Sequence, residues 1–314
     1  MKFYTEVPYD HPEYHAQKEQ KDISNEEFQE LFDSPKVNIF YKVLRFVFFI
    51  VFLGPIRFIF TFIALGIFFI FVTVLPKFEF LFKNKRIFKE WAFKMIRPVI
   101  RLCMYCYGVV KVNIKGKLEP DTRIVVCNHL TMYDIISVLY CFPLSFVAKD
   151  SLRTNKFIQN TVKIFDAVFV DRSKQGGVTE QIVNVASDPT YLPLLIYPEG
   201  KITNGEAILG FRSGAFVPEV PVQAVAIRYR MWLTPKGMAT VSWLHDSVWE
   251  YFYQFYTIPF MTFEAEILPQ YYEKTSDLKP AEKAAKVQIQ MANALGTLAI
   301  SQTNKEIFMK VKSE

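Results

Sequence analysis

The sequence predicts an α/β fold: a mixed, mostly parallel sheet covered by helices, preceded by an N-terminal membrane helical hairpin. After Gly108, short β-branched runs alternate with helical stretches, a pattern typical of a sheet with helices on its faces. Before it, the run from Phe46 to Leu75 contains a single charged residue, Arg57. Apolar residues make up 51% of the 314 residues, a high share for a purely soluble enzyme.

Residues 1–35 are predicted to form an acidic flexible tail. They hold nine acidic residues against three lysines, so the remaining chain is strongly basic although the net charge is only +6. A basic body suits nucleic acid, anionic lipid or a phosphorylated substrate, and the apolar content favours lipid over nucleic acid. Ser24 and Glu27 have the spacing of a capping box, which predicts a short helix reaching Phe32.

Residues 36–76 are predicted to enter the membrane as a hairpin or as a single span. Gly54-Pro55 divides the apolar run, and the piece before it is too short to span. The piece after it, Phe58–Leu75, would be about 27 Å long as a helix, close to the ~30 Å hydrocarbon core. Basic residues on both flanks favour the hairpin with both ends cytosolic. A buried helix of a soluble core is the alternative.

Residues 77–108 are predicted to form basic amphipathic interfacial helices. Apolar residues recur at helical spacing from Ile87 to Cys103, and lysines and arginines occupy the opposite face. This pattern is typical of a helix lying on anionic lipid, although a helix packed on a globular domain gives the same pattern. Pro98 is expected to kink or divide the helix.

Residues 109–270 are predicted to form the α/β domain, and residues 271–314 a C-terminal helix and tail. Helices are expected near 131–141, 154–164, 175–186 and 206–216, with a last one over Pro280–Leu298. The predicted strands are Val109–Ile114, Ile124–Cys127, Ser145–Ala148, Ala167–Val170, Leu194–Tyr197, Val222–Ile227 and Phe263–Leu268.

The four cysteines are predicted to be free thiols. They are Cys103, Cys106, Cys127 and Cys141, and no second pair follows at zinc-site spacing. The pattern does not suggest a disulfide scaffold, which places the domain in a reducing cytosol. We expect no metal site.

His129 is the candidate general base. It follows the predicted strand Ile124–Cys127, and the carboxyl ends of strands are where open α/β sheets place their ligands. Asp134 lies five residues on and can reach back to one ring nitrogen, which leaves the other nitrogen as proton acceptor. An imidazole with its ordinary pKa of about 6.5 suits this role. Alternatively, Asp134 closes a capping box with Thr131, and Asn128 is a turn residue.

Two further polar clusters follow predicted strands. Arg172 comes after VFVD and can grip a phosphate with two hydrogen bonds, although a surface ion pair is the alternative. Glu199, Gly200 and Lys201 follow LLIYP, where a simple strand-end turn is the alternative. Gly200 permits close backbone approach, and Glu199 is placed to orient Arg172 or to accept a substrate hydroxyl. Arg212, in GFRSGAF, is a further cation.

Together the segments NHLTMYD, FVDRS, YPEGKITNG and VPVQAVAIRY resemble the four motifs of the glycerolipid acyltransferase superfamily in order and spacing. This superfamily includes the 1-acylglycerol-3-phosphate acyltransferases. The third motif and the GPIR stretch look closest to the lysophosphatidylcholine and lysophosphatidylethanolamine acyltransferase branch. The resemblance covers roughly residues 45–300.

The resemblance implies roles for six residues and leaves two further residues open. His129 and Asp134 match the catalytic pair, and Pro221 falls in the fourth motif, which is linked to the acyl chain. Arg172, Glu199 and Gly200 match residues that hold the phosphate and glycerol of the acceptor. Lys201 replaces the threonine of the family's E-G-T motif and Arg212 is added as a cation, so the acceptor preference is open.

The resemblance also implies a reaction and its setting. The enzyme would transfer a fatty acyl group from acyl-CoA to the free hydroxyl of a lysophospholipid, in the endoplasmic reticulum membrane with a cytosolic domain. Acyl-CoA is the co-substrate, and no cofactor, metal, calcium control or nucleic acid is expected. The alternatives are a lysophosphatidic acid acyltransferase and a catalytically silent lipid-binding member of the fold. A membrane-anchored hydrolase would need a nucleophile beside His129.

Overall fold

A mixed, mostly parallel sheet forms the centre of the protein. The computed structural model describes residues 4–34, 38–150, 153–170, 177–235, 239–244, 247–271 and 278–305. All seven predicted strands occur. Six of them begin and end within three residues of the expected positions, and the sixth continues five residues beyond its expected end. The strands are β1 (Tyr4–Val7), β2 (Val109–Lys115), β3 (Ile124–Cys127), β4 (Ser145–Lys149), β5 (Ala167–Val170), β6 (Leu194–Ile196), β7 (Ala207–Ile208), β8 (Val222–Trp232), β9 (Phe260–Ile267) and β10 (Leu298–Ala299).

The sheet has the order β2-β9-β8-β3-β6-β4-β5, and β1 also pairs with β8. Strand β3 runs parallel to both neighbours, β6 and β8, and β4 runs parallel to β6 and β5. Only β9 and β1 run antiparallel to β8 among the described pairs of this sheet. The carboxyl ends of β3, β6, β4 and β5 therefore share one edge of the sheet.

Nine α-helices lie in the described residues, and three of the four predicted around the sheet are present. The helices predicted near 131–141, 154–164 and 175–186 occur at the expected positions. The last helix ends at Leu295, before Gly296 with a left-handed backbone conformation. The helices are α1 (Asn25–Glu30), α2 (Ile39–Phe48), α3 (Gly54–Val74), α4 (Lys85–Cys106), α5 (Asp134–Cys141), α6 (Lys156–Phe165), α7 (Gly177–Ser187), α8 (Val248–Thr257) and α9 (Pro280–Leu295).

The helix predicted at 206–216 is wrong. Residues 207 and 208 instead form β7, which pairs in parallel with β10. Gly210 packs so tightly that an added Cβ would lie 2.5 Å from the carbonyl oxygen of Ser301. Ser213–Phe216 form a single 3₁₀ turn. The backbone of this stretch is thus held by the C-terminal segment, and this pairing overrides the local helical pattern.

The central strand β3 is buried on both faces, because its side chains alternate between two clusters. Val125 and Cys127 belong to the cluster that includes α4 and α5. Ile124 and Val126 belong to the cluster that includes α7 and α9. All four side chains are fully buried. A rigid strand with helices on both sides therefore leads into the turn at His129.

The apolar face of α4 is buried in the protein. Phe88, Ala92 and Ile96 are fully buried in the same cluster as β3. The prediction that this face lies on lipid is therefore wrong, since a packed helix shows the same periodicity. The helix also continues through Pro98 without a division, with buried Ile96 and Val99 on either side holding it in place.

Helix α3 is the candidate membrane-spanning element. It has 21 residues, or about 31 Å at the usual helical rise, which matches the ~30 Å hydrocarbon core. The pair Gly54-Pro55 is expected to interrupt the apolar run, but the helical backbone continues: a π-helical turn over Phe49–Leu53 joins α2 to α3, which begins at Gly54 with Pro55 in its first turn. Among the described residues, one helix is long and apolar enough to cross a membrane. Whether this helix crosses the membrane alone or forms a hairpin with α2 stays a prediction.

Arg57, the charge inside the apolar run, is 6% exposed. Its guanidinium donates to backbone carbonyls at the end of α8: Tyr256 at 3.1 Å, Ile258 at 2.6 Å, and Pro259. These acceptors include carbonyls that a helix leaves without a partner at its C-terminus, and the positive charge suits that end of the helix dipole. Arg57 therefore attaches the membrane helix to α8.

The prediction of a flexible tail over residues 1–35 is wrong for residues 4–34. Strand β1 pairs with the second half of β8, where Val7 faces Tyr229. Further on, Lys21 forms a bridge with Ile300. The predicted capping box is confirmed, with Ser24 and Glu27 each bonding the other's backbone N–H at the start of α1.

Burial explains why this acidic segment is docked. Val7, Phe28 and Leu31 are at most 5% exposed, and the two last pack with Leu209 and Ile300. The segment thus carries enough apolar surface to hold itself on the domain, a feature that its average composition conceals.

Candidate active site

His129 and Asp134 form the predicted pair at the carboxyl end of β3. His129 Nδ1 lies 2.9 Å from Asp134 Oδ2. Asp134 is the first residue of α5 and is fully buried, whereas the side chain of His129 is 20% exposed. Because the carboxylate can only accept, Nδ1 carries the proton and Nε2 is left with a lone pair. The pair thus has the arrangement of an oriented general base.

Asp134 is held by the turn that precedes it. Its Oδ2 accepts the backbone N–H groups of Leu130 at 2.6 Å and Thr131 at 2.8 Å in addition to His129. Its Oδ1 accepts the hydroxyl of Tyr229 at 3.0 Å. Only half of the capping box that the sequence offered as an alternative is therefore made: Asp134 accepts the N–H of Thr131, whereas the hydroxyl of Thr131 bonds Tyr251. Four donors stabilise the negative charge of Asp134.

Glu199 fixes the backbone of the site. Its Oε1 accepts the N–H of His129 at 2.9 Å, and its Oε2 accepts the N–H of Leu209 at 3.1 Å. Glu199 is 2% exposed, and burial raises the pKa of its carboxyl from 4.5 to about 8, against the lowering effect of these two N–H donors. Both oxygens are thus used inside the protein. Glu199 braces His129, and this geometry does not offer its carboxylate to a substrate hydroxyl.

Two neighbours keep His129 in place. Asn128 bonds β8 twice, donating to the carbonyl of Ile227 at 3.0 Å and accepting its N–H at 2.8 Å. The ring of Tyr197 stacks on the imidazole with ring centres 4.3 Å apart. Asn128 is therefore more than a turn residue, since it extends the β3–β8 pairing to the residue before the base.

The site is connected to the membrane helix through α8. The hydroxyl of Tyr251 forms a short hydrogen bond with Thr131, in the turn that holds Asp134. Tyr133 packs between the rings of Tyr251 and Tyr107. Because Arg57 binds the other end of α8, an unbroken set of contacts joins α3 to the turn of the pair.

Gly200, the residue after Glu199, lies next to the side chain of Arg212. Gly200 has a φ of +69°, and an added Cβ would lie 2.6 Å from Asn304 Nδ2 and 3.3 Å from Arg212 Nε. Arg212 donates from Nε to Asn304 Oδ1 at 2.9 Å. The close approach that Gly200 permits is therefore made by the protein's own side chains.

Lys201 points toward the N-terminal segment. Its ammonium lies 4.5 Å from the centre of the Phe32 ring. Asn204, in the same loop, donates its N–H to the carbonyl of Leu31 at 2.7 Å. Helix α1 and the residues after it thus hold the loop that carries the predicted phosphate-binding residues.

Pro221 is not near the histidine. Its carbonyl accepts the N–H groups of Arg123 at 3.0 Å and Ile124 at 3.2 Å, at the amino end of β3. The four residues of β3 separate it from His129, about 13 Å at the usual strand rise. Arg172 lies outside the described residues. It follows β5 in the sequence, and β5 ends at the same edge as β3.

Three aromatic residues of the site were not predicted from the sequence. Tyr229 lies in an apolar strand, and nothing local signals that its hydroxyl reaches a carboxylate. Tyr197 is the first residue of the third motif and directly follows β6, so its position at a strand end was the available signal. Tyr251 lies 120 positions from its partner Thr131, and no short-range pattern connects them.

Comparisons with known proteins agree with this geometry. The sequence model of the Acyltransferase family matches residues 109–228, which contain β2 to β8 and the His129–Asp134 pair. Lysophosphatidylcholine acyltransferase 2B of Rattus norvegicus is 32% identical over 225 residues, covering 66% of this chain and 42% of that protein. Lysophospholipid acyltransferase LPEAT2 of Arabidopsis thaliana is 28% identical, covering 66% and 39%.

A solved structure shares the fold. The 1-acyl-sn-glycerophosphate acyltransferase PlsC of Thermotoga maritima superposes with a TM-score of 0.56 at 15% identity, covering 83% of this chain and 96% of that one. The chain spans about 40% of the length of the curated relatives it matches. On the family match and these relatives, the chain belongs to the glycerolipid acyltransferase superfamily, in the lysophosphatidylcholine acyltransferase branch.

Proposed function

We propose that this protein is a membrane-bound acyltransferase that moves a fatty acyl group from acyl-CoA to the free hydroxyl of a lysophospholipid. The acceptor is lysophosphatidylcholine or lysophosphatidylethanolamine. The observation that carries the proposal is the His129–Asp134 pair, with Nδ1 bonded at 2.9 Å and Nε2 left to accept a proton. The names of the matched relatives support the same reaction.

The proposed reaction proceeds in one displacement. The lysolipid hydroxyl gives its proton to Nε2 of His129 and attacks the thioester carbonyl. The tetrahedral intermediate collapses with loss of the CoA thiolate, which takes the proton from His129. Asp134 stabilises the imidazolium that exists between these steps. Backbone N–H groups stabilise the oxyanion, and no acyl-enzyme, metal or cofactor takes part.

The acceptor phosphate is proposed to meet the basic residues beyond β5 and β6. Arg172 is the main candidate, with Lys201 and Arg212 as further cations. Glu199 holds the backbone of the loop that contains Lys201 and Arg212 through its bond to Leu209. The side chain of Lys201 contacts Phe32, and the side chain of Arg212 bonds Asn304. Pro221, at the opposite edge, keeps only the acyl-chain role that the resemblance implies.

The setting is proposed to be the endoplasmic reticulum membrane, with the α/β domain in the cytosol. Most of the side chains of α3 are exposed and apolar, for example Phe58, Phe60 and Phe62, which are at least 50% exposed. Such a surface is stable in lipid and costly in water. A lysophospholipid already in the bilayer would then reach His129 from the side.

The test is acyl transfer by the purified full-length chain in liposomes. Labelled acyl-CoA of several chain lengths is crossed with lysophosphatidylcholine, lysophosphatidylethanolamine and lysophosphatidate as acceptors. The proposal expects product with a choline or ethanolamine acceptor, and none from folded His129→Ala. Folded protein that transfers no acyl group to any acceptor would identify a catalytically silent lipid-binding member of the fold instead.

The second candidate is a lysophosphatidic acid acyltransferase. Lys201 favours it, because an ammonium in place of the family threonine adds positive charge for a more anionic head group. Preference for lysophosphatidate over the other two acceptors, lost in Lys201→Thr, would establish this alternative.

A further inference from the structure

A chain of three buried hydroxyl groups ends at Asp134. The hydroxyl of Tyr229 lies 3.0 Å from Asp134 Oδ1 and 3.0 Å from the Oγ of Ser137. The hydroxyl of Tyr107 lies 2.9 Å from the same Oγ. All four residues are at most 3% exposed. The chain begins after α4, crosses α5 and reaches β8, so three elements contribute one hydroxyl each.

The direction of these hydrogen bonds follows from the number of protons. A carboxylate only accepts, so the single proton of Tyr229 points at Asp134. Ser137 Oγ is a second acceptor within reach of the Tyr229 hydroxyl, so it competes with Asp134 for this proton, and it also forms a hydrogen bond with the hydroxyl of Tyr107. The three hydroxyls therefore form one network, in which a change at Ser137 alters how strongly Tyr229 bonds the carboxylate.

Within the described residues, Oδ1 accepts a hydrogen bond from Tyr229 alone, whereas Oδ2 accepts from three donors. A buried carboxylate oxygen without a donor is costly, and its charge is then attracted more strongly to the imidazole on the other oxygen. Tyr229 therefore decides how the negative charge of Asp134 is shared between the two oxygens.

We propose that Tyr229, in its hydroxyl network with Ser137 and Tyr107, is a positioning residue that sets the basicity of His129 through Asp134. Tyr229 is fully buried, so it acts through the pair and not by contact with a substrate. The proposal rests on the proposed function for its kinetic effect, but its effect on His129 is independent of any activity. The titratable groups that face the pair are Glu199, Tyr197, Cys127, Tyr229, Tyr107 and Tyr251.

The test is the titration of His129 by NMR in full-length protein labelled at histidine, in detergent micelles. The chain has four histidines, and the signal missing from His129→Ala assigns the base. In Tyr229→Phe the imidazolium is stabilised by a carboxylate with one donor fewer. We expect the midpoint of the His129 titration to rise by about 0.5 to 1 pH unit in this variant.

The same variants are measured by kinetics. The acid limb of kcat/KM for acyl transfer should move up by the same amount in Tyr229→Phe, while the KM values stay within about twofold, because the substrates are not touched. Ser137→Ala removes the competing acceptor and strengthens the bond from Tyr229 to Asp134, so it should lower the midpoint by less than Tyr229→Phe raises it. This variant keeps the test decisive if Tyr229→Phe does not fold, since an unchanged or raised midpoint in Ser137→Ala would contradict the proposal.

The matched control is Tyr256→Phe. Tyr256 is also a buried tyrosine, but its hydroxyl bonds Thr61 at 2.9 Å and lies outside the chain of hydroxyls. An unshifted midpoint in Tyr229→Phe, or an equal shift in Tyr256→Phe, overturns the proposal. A shifted midpoint in a protein that transfers no acyl group would reject the proposed function and keep the positioning role.

Discussion

Glu199 holds the backbone of His129 through a 2.9 Å hydrogen bond, and its second oxygen holds Leu209. In Glu199→Gln one of these two N–H groups would face an amide NH₂, because glutamine has a single acceptor oxygen. We expect a loss of about 1–3 kcal/mol in stability and a drop in kcat of about tenfold or more as the base is displaced. Thermal unfolding and steady-state kinetics measure both. A variant with wild-type stability and turnover would contradict the bracing role.

The pH dependence of stability should carry the signature of Glu199. Burial raises the pKa of this carboxyl from 4.5 to about 8, so between these values the unfolded chain binds fewer protons than the folded protein. Stability contributed by the group is therefore present below about pH 4.5 and is lost as pH rises toward about 8. Melting temperatures of wild type and Glu199→Gln across this range check the sign. The difference between the two proteins should shrink as pH rises.

Asp134→Asn should separate charge from geometry. The amide can keep its oxygen toward His129, Leu130 and Thr131, and the hydroxyl of Tyr229 can turn to accept its NH₂. The fold is therefore retained, but the imidazolium loses its negative partner. We expect kcat to fall by about 10²- to 10⁴-fold with little change in KM. Turnover within tenfold of wild type would argue against the pair as the catalytic centre.

Arg57→Leu should loosen the attachment of α8. It leaves buried carbonyls such as those of Tyr256 and Ile258 without their donor, at about 1–3 kcal/mol for each group that finds no new partner. We expect a lower melting temperature in detergent and faster hydrogen exchange over α8. Arg57→Lys is the matched control, because it keeps the charge and part of the donors. A melting temperature and exchange rates in Arg57→Leu equal to those of wild type would show that the carbonyl contacts contribute nothing.

Gly200→Ala should disturb the loop beside the base. The residue has a left-handed φ of +69°, and its Cβ would lie 2.6 Å from Asn304 Nδ2. We expect a destabilisation of about 1–2 kcal/mol and reduced activity. Gly66→Ala is the control, since nothing lies within 4 Å of a Cβ built there. Its activity and melting temperature should stay close to those of wild type.

Sequence reasoning worked where the determining residues are near one another in the chain. His129 and Asp134 are five positions apart at a strand-to-helix junction, so the strand pattern and the motif place both. The capping box of Ser24 and Glu27 is local for the same reason. The apolar runs predicted the strands because the central ones are buried on both faces.

Sequence patterns did not predict the features that depend on contacts between segments far apart in the chain. The helix predicted at 206–216 is absent because β7 pairs with β10 and Gly210 meets Ser301. The acidic segment is docked because β1 finds β8 more than two hundred residues away. The face of α4 is buried, yet its periodicity is the same as that of a helix on lipid. Glu199 was expected to meet substrate, since its backbone partner at His129 is invisible in a single sequence.

The loop beside the base is enclosed by segments from both halves of the chain. Residues 207–210 pair with residues 298–302, and Asn204 bonds the end of α1. A polypeptide still emerging from the ribosome cannot complete this loop until residue 302 has been made and residues 4–34 have folded back. The turn that carries His129 should therefore reach its final geometry late in synthesis, well after residues 54–74 of α3 have been made.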